Sequence, residues 1–68
     1  MITVELRDDY IKLGQALKAA GLVSSGLDAK YIITDGRVLV DGQVEKRRGR
    51  KLYKGSVVEY EGQKITVM

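Results

Sequence analysis

The sequence predicts an α+β domain in which a two-helix hairpin packs on a small curled antiparallel sheet. Three observations predict this fold class: an alternating apolar segment at the N terminus, two segments with helical spacing, and short apolar runs separated by turn residues in the second half. With 68 residues, 44% of them hydrophobic, the chain can form one thin core. We therefore expect residues 1–68 to form a single domain.

The first half of the chain predicts a strand followed by two helices. Apolar and polar residues alternate over the first few positions, which is the period of a half-buried strand. Asp8 and Asp9 are suited to cap a helix that begins at Tyr10. Ser25, followed three residues later by Asp28, indicates a capping box at the start of a second helix. The positions expected to form the buried faces of the helices are Leu13, Ala16, Leu17, Ala20, Ala29, Ile32 and Ile33.

The second half predicts short antiparallel strands. Asp41-Gly42 between two apolar runs is typical of a tight hairpin turn, and Glu61-Gly62 indicates a second turn between strands. The expected strands cover residues 38–40, the region of Val44, residues 56–60 and residues 63–67. The two predicted helices would lie together beside this sheet.

Positive charge is concentrated in one segment, residues 46–54, which we call the basic stripe. Six of its nine residues are Lys or Arg and none is acidic, whereas the rest of the chain has six basic and nine acidic residues. Such a cluster is typical of phosphate binding, because cations that neutralise phosphates release condensed counterions. The alternative is a solvated loop whose charge serves only solubility.

The composition excludes several classes of function. Cysteine and histidine are absent, which removes thiolate nucleophiles, cysteine zinc sites and the commonest general base. The sequence has no glycine-rich phosphate loop and no metal-ligand spacing, so we expect no catalytic residue, metal, cofactor or small-molecule substrate. No apolar run approaches the ~20 residues of a membrane span, and nothing resembles a signal peptide. These features predict a cytoplasmic, non-enzymatic protein with no membrane partner.

Several residues are candidates for binding an anionic partner. Arg47, Arg48 and Arg50 matter most, because guanidinium can grip phosphate with two hydrogen bonds. Ser24 and Ser25 would add hydroxyl groups at the N terminus of the second helix, although a purely capping role is the alternative. The remaining candidates are Lys12, Gln15, Lys30 and Lys51. The first two could equally belong to an ordinary solvated helix face.

The aromatic residues are four tyrosines, without Phe or Trp. Tyr53 lies inside the basic stripe, where its ring could stack on an unpaired base or could pack on the core as part of a strand. Tyr10, Tyr31 and Tyr60 are expected to be packing residues.

An ordered set of short motifs covers most of the chain. These motifs are Lys12-Leu13, Gly21-Leu22, Ser24-Ser25, Ala29-Lys30, Gly36, the predicted strand at residues 38–40, and Asp41-Gly42. Their order and spacing resemble the S4 domain, an RNA-binding module, and the tail RRGRKLYKGSVVEYEG is similar to its small stand-alone YaaA/YbcJ-like bacterial members. Gly14 and Gly26 stand where ribosomal members have an acidic residue and an arginine, and both match the stand-alone members better.

The resemblance implies an αL motif, a helical hairpin with a strand hairpin whose basic face docks on structured RNA, and it implies no catalysis. We therefore predict a non-catalytic protein that binds structured RNA, either ribosomal or tRNA-like, or a ribosomal particle during assembly. A protein-interaction module, an accessory module for an RNA-modifying enzyme and binding of double-stranded DNA stay open as alternatives. We expect replacement of Arg47, Arg48 and Arg50 together to weaken RNA binding while the fold stays intact.

Overall fold

A computed structural model describes residues 2–68 and contains two helices, a five-stranded sheet and a two-stranded ribbon. The helices are α1 (Leu13–Ala19) and α2 (Gly26–Thr34). The strands are β1 (Ile2–Val4), β2 (Ile11–Lys12), β3 (Val38–Val40), β4 (Gln43–Val44), β5 (Lys51–Leu52), β6 (Val57–Tyr60) and β7 (Gln63–Val67). The predicted α+β class, with a helical hairpin beside a small sheet, is confirmed.

The five-stranded sheet is mixed, whereas the sequence predicted an antiparallel one. Its strand order is β1-β7-β6-β3-β4, and β1 runs parallel to β7 with Ile2 beside Ile65. The β7–β6, β6–β3 and β3–β4 pairs are antiparallel. Because the parallel pair joins the first strand to the last, its direction depends on the path of the whole chain and leaves no local pattern.

Both predicted turns are confirmed. Asp41 and Gly42, with φ of 51° and 85°, connect β3 to β4. Glu61 and Gly62, with φ of 49° and 77°, connect β6 to β7 in the same way. Positive φ at both central residues produces a turn whose twist matches the twist of the flanking strands, which explains why these short connections form hairpins.

The start of α1 differs from the prediction. The N-cap is Lys12, with extended φ and ψ of −77° and 148°, and the helix begins at Leu13 rather than at Tyr10. Asp8 and Asp9 lie in an exposed bend ahead of β2 and do not cap the helix. The physical reason is tertiary pairing: Ile11 pairs with Leu52 in the ribbon formed by β2 and β5, and this pairing holds the chain extended before the helix.

The core lies between the two helices and one face of the sheets. Its buried residues are Val4, Leu13, Ala16, Leu17, Ala29, Ile33, Val38, Val40, Leu52, Val58, Ile65 and Val67. Ala20 and Ile32 are partly buried against this cluster, so the apolar faces predicted for both helices are confirmed. Within residues 2–68, no helix combines the length and the apolar character needed to cross a bilayer.

Candidate nucleic-acid interface

The basic stripe is anchored to the N terminus of α1 through its backbone. The N–H group of Leu13 donates a hydrogen bond to the carbonyl of Arg50 at 2.8 Å, and the N–H of Gly14 donates to the carbonyl of Arg48 at 3.1 Å. Both donors belong to the first turn of the helix, where no intrahelical acceptor exists. The stripe therefore supplies acceptors that the helix needs and is held in a defined conformation.

Gly14 permits the close approach between the stripe and the helix. A Cβ atom at this position would lie 2.8 Å from Cγ of Arg48 and 3.3 Å from its Cδ, closer than side chains normally pack. Glycine inside a helix costs about 1 kcal/mol relative to alanine, so its presence in α1 needs a packing reason. The side chain of Arg48 provides that reason, because it occupies the space of the missing methyl group.

Replacing Gly14 with alanine is expected to lower the free energy of unfolding by about 1 kcal/mol, because overpacking costs about 1–3 kcal/mol and better helix propensity returns about 1 kcal/mol. Urea denaturation measures this change. The matched control is Gly26→Ala at the start of α2, where nothing lies within 4 Å of the added Cβ. The control should leave stability unchanged or slightly raised, and equal effects at both positions would contradict the packing role of Arg48.

Arg48 connects the N-terminal ends of the two helices. Its stem packs over Gly14 in α1, and its guanidinium Nη1 donates to the carbonyl of Gly26 in α2 at 3.4 Å. The side chain remains exposed to solvent. The guanidinium group therefore lies between the N-terminal ends of α1 and α2, and most of its N–H donors remain free for a ligand.

Glu45 organises two arginines of the stripe. Glu45 is 7% exposed, and its carboxylate accepts hydrogen bonds from Nε of Arg47 at 3.0 Å, Nη2 of Arg47 at 3.0 Å and Nη1 of Arg50 at 2.6 Å. The backbone N–H of Arg47 donates to the same carboxylate at 3.1 Å. The stripe contains no acid, yet an acid directly before it neutralises part of its charge.

These contacts change the acidity of Glu45. Hydrogen bonds from Arg47, and then from Arg50, lower the pKa of the Glu45 carboxyl from its ordinary value of 4.5 to about 2, against the opposing effect of burial. The Arg47 side chain stays 72% exposed, so it can still present its outer edge to a ligand. Arg47 and Arg50 thus have a structural role in addition to the predicted binding role.

The ribbon of β2 and β5 places two lysines side by side. Lys12 and Lys51 are direct partners in the antiparallel register, next to the Ile11–Leu52 pair. Leu52 is fully buried, so the lysines occupy the opposite, exposed face. Like charges directly opposite one another destabilise a ribbon, which is a cost that a bound anion would offset. Together with the three arginines, these lysines form what we call the basic face: Lys12, Arg47, Arg48, Arg50 and Lys51.

The other predicted site residues are engaged in local structure or stand apart. Gln15 accepts the N–H of Lys12 on its Oε1 at 3.3 Å, which caps α1. Ser25 caps α2 by accepting the N–H of Asp28 at 3.1 Å, while Ser24 donates its hydroxyl to the Asp28 carboxylate at 2.7 Å. The predicted capping box is therefore half formed, since the acid turns to Ser24. Lys30 is exposed one helical turn beyond the first residue of α2.

The tyrosines divide differently from the prediction. Tyr53 is 53% exposed, so the alternative that it packs on the core is wrong. Tyr31 is 62% exposed and is not a packing residue either, whereas Tyr60 is partly buried against the core as expected. Tyr10 was expected to pack, but the residue is 36% exposed, and its ring lies beside that of Tyr53, with 6.2 Å between the centroids. Within residues 2–68, no group of three or more acidic side chains could hold a metal ion.

Comparison with known proteins identifies a family to which both the sequence and the fold correspond. The family model of the S4 domain matches residues 4–68. The chain belongs to the S4 domain family. This S4 protein is 46% identical over 59 residues to the "Probable ribosome maturation protein RlbA" of Bacillus subtilis (strain 168), a match that covers 87% of this chain and 83% of the relative.

A second S4 relative, YbcJ of Escherichia coli (strain K12), is 37% identical over 59 residues, covering 87% of this chain and 84% of YbcJ. Its solution structure matches with a TM-score of 0.76 at 36% identity and covers 100% of this chain and 87% of that one. That structure is described as revealing an αL motif involved in RNA binding. The resemblance drawn from the motif order is thus confirmed, and the helical hairpin with its adjoining strands has the arrangement seen in YbcJ.

Proposed function

We propose that this S4 protein is a non-catalytic module that binds structured RNA through the basic face, acting as one domain over residues 1–68. The observation that carries the proposal is the Lys12–Lys51 pair on the exposed side of the ribbon. Two directly opposed cations with no acid between them favour an anion as the missing partner. Arg48, fixed across the two helix N termini, extends the same positive surface.

The arrangement suits recognition of phosphates and of helical shape. The cations lie on a ribbon, at the start of a helix and in a hydrogen-bonded turn, where the backbone is already ordered. Little conformational entropy is therefore lost when they bind a ligand. The major groove of A-form RNA is too narrow for side chains to read, which leaves backbone contacts as the main source of affinity. The description of YbcJ supports RNA as the partner. Ribosomal RNA, or a ribosomal particle during assembly, is the leading target, supported by the name of RlbA.

The salt dependence of binding tests the proposal. If four to six cations meet phosphates, the plot of log Kobs against log salt should have a slope of about −3 to −5. Fluorescence anisotropy with a labelled RNA hairpin measures it, and a DNA hairpin of the same sequence is the control. We expect the RNA to bind more tightly, because only RNA offers 2′-hydroxyl groups. A flat salt dependence, or equal affinity for both hairpins, would contradict the proposal.

A second role, as an interaction or accessory module for an RNA-modifying enzyme, is favoured by the outer side of α2. Leu27 and Tyr31 lie one helical turn apart there, 56% and 62% exposed. Exposed apolar side chains on one helix face are suited to a protein partner. Co-purification of a protein that survives RNase treatment would favour this role over direct RNA binding.

A further inference from the structure

The outer face of the β2–β5 ribbon carries an aromatic pair beside the lysine pair. The register pairs Ile11 with Leu52 and Lys12 with Lys51, so continuing it by one residue brings Tyr10 opposite Tyr53. The ring planes of these tyrosines are inclined at 56°. Because side chains alternate between the two faces of a strand, the tyrosines and the lysines share the exposed face, while Ile11 and Leu52 face the core.

Tyr10 is held in place by its neighbours. The Nζ atom of Lys51 lies over the Tyr10 ring, 4.7 Å from its centroid, which is cation–π geometry. The Tyr53 ring also contacts Tyr10, in a tilted arrangement that aromatic pairs prefer. Tyr10 therefore supports Tyr53 and also positions the ammonium group of Lys51 beside it.

The backbone of Tyr53 is fixed by reciprocal hydrogen bonds with Ser56. The N–H of Tyr53 donates to Oγ of Ser56 at 3.1 Å, and the N–H of Ser56 donates to the carbonyl of Tyr53 at 3.0 Å. Gly55, with φ of 94°, allows the turn that closes this pair of bonds. The backbone of Tyr53 is thus held by hydrogen bonds and its ring contacts that of Tyr10, while the residue is 53% exposed, so stacking on it costs little conformational entropy.

Three cations share a groove with the exposed side chain of Tyr53. This open groove is lined by Arg47, Gly49, Arg50, Lys51 and Tyr53. Nothing lies within 4 Å of the position that a Cβ of Gly49 would take, so a ligand can approach the backbone there. One aromatic surface and three cations within one groove provide partners for a flat ring and for an attached phosphate.

This combination identifies one class of ligand. In a continuous duplex each base is stacked between its neighbours, so an exposed tyrosine ring has no base to stack on. An unpaired base exposes its face, and stacking of a base on an aromatic side chain tolerates any base. We infer that the Tyr53 groove binds an unpaired nucleotide, its base stacked on Tyr53 and its phosphate held by the neighbouring cations. The inference rests on the proposed RNA-binding function and narrows its target to RNA in which an unpaired nucleotide adjoins a helical segment.

Two RNA hairpins test the inference: one with a continuous stem, the other identical except for one unpaired adenosine in the stem. The wild-type protein should bind the second about 5- to 100-fold more tightly, the range expected for stacking of one base. Tyr53→Ala and Tyr53→Leu should lose this preference, while Tyr53→Phe should keep it, because only the phenylalanine retains an aromatic face. Affinity for the continuous stem should hardly change in any of these variants.

The matched control is Tyr31→Ala, which removes another exposed tyrosine, on α2, and should preserve the preference. Urea denaturation of each variant confirms that it is folded, and the leucine variant keeps apolar bulk if alanine proves disruptive. Equal wild-type affinity for both hairpins, or a preference that survives in Tyr53→Leu, would overturn the inference and leave RNA binding intact. Failure of the wild type to bind either hairpin would instead overturn the proposed function.

Discussion

Alanine at Lys12, Arg48 and Lys51 together is expected to weaken binding to an RNA hairpin by about 100-fold or more, because each charge-assisted contact is worth about 1.5 kcal/mol before solvent screening. These cations take part in none of the salt bridges found within residues 2–68, so their removal leaves no acid without a partner. The slope of log Kobs against log salt should become shallower by about 2–3. Fluorescence anisotropy over a salt series measures both quantities.

The control for this variant removes the same charge from other parts of the surface. Lys18, Arg37 and Lys64 are exposed and lie outside the basic face, in the last turn of α1, just before β3 and in β7. Replacing these three with alanine should change RNA affinity only a few-fold. An equal loss in both variants would mean that net charge, rather than the basic face, attracts the RNA, and unchanged binding in the first variant would exclude the basic face as the interface.

Replacing Arg47 and Arg50 with alanine is expected to lower the free energy of unfolding by about 1–2 kcal/mol at neutral pH, because the buried Glu45 carboxylate would lose its partners. Adding Glu45→Gln to the same chain should restore part of the loss, since a neutral amide costs less to leave unpaired. Urea denaturation of the two variants beside the wild type gives the comparison.

The charge-matched control for this pair is Lys46→Ala with Lys54→Ala, which removes two exposed cations of the stripe and should leave stability unchanged. If the Arg47 and Arg50 variant were as stable as this control, the Glu45 network would have no structural importance. The loss of stability expected here also applies to the variant at Arg47, Arg48 and Arg50, which the sequence alone predicted to keep its fold. That variant would reduce stability and RNA contacts together, whereas the variant at Lys12, Arg48 and Lys51 leaves the hydrogen bonds of Glu45 intact.

Glu45 should also make the fold sensitive to acid. Its pKa is about 2 in the folded protein against an ordinary value of 4.5, so its contribution to stability is complete above pH 4.5 and is lost as the pH falls towards 2. We expect the loss to be about 1–2 kcal/mol, allowing for the water around the exposed arginine. The stability advantage of the wild type over Glu45→Gln should therefore shrink across this pH range. A constant difference would contradict the linkage.

Local signals were sufficient for much of the fold. Ser25 as an N-cap, the Asp41-Gly42 turn and the apolar positions of both helices follow from neighbouring residues, and each was predicted. The start of α1 was not, because Ile11 and Lys12 pair with β5 some forty residues later in the chain. The sequence contains one weak signal of that pairing. The segment Tyr10-Ile11-Lys12 and the segment Lys51-Leu52-Tyr53 have the same order of aromatic, aliphatic and basic residues when one of them is read backwards, as two antiparallel partners would.

The candidate site also has features that the sequence predicted and features that it did not. The stripe was visible because six cations in nine residues are a property of composition. The role of Glu45 was not, since its position before the stripe does not reveal that its carboxylate is buried beneath two arginines. Ser24 and Gln15 are also predicted site residues, and only the structure shows that their side chains make local hydrogen bonds, to the Asp28 carboxylate and from the N–H of Lys12.

The sequence by itself determined that the chain is a small α+β domain of S4 type with one concentrated region of positive charge, because turn chemistry, helix capping and charge spacing act between near neighbours. Only the tertiary structure decided which cations are free for a ligand and which hold the fold, and that Tyr10 and Tyr53 meet. These outcomes depend on pairing between distant segments and on the burial of one carboxylate, and both are set by long-range packing that no local pattern records.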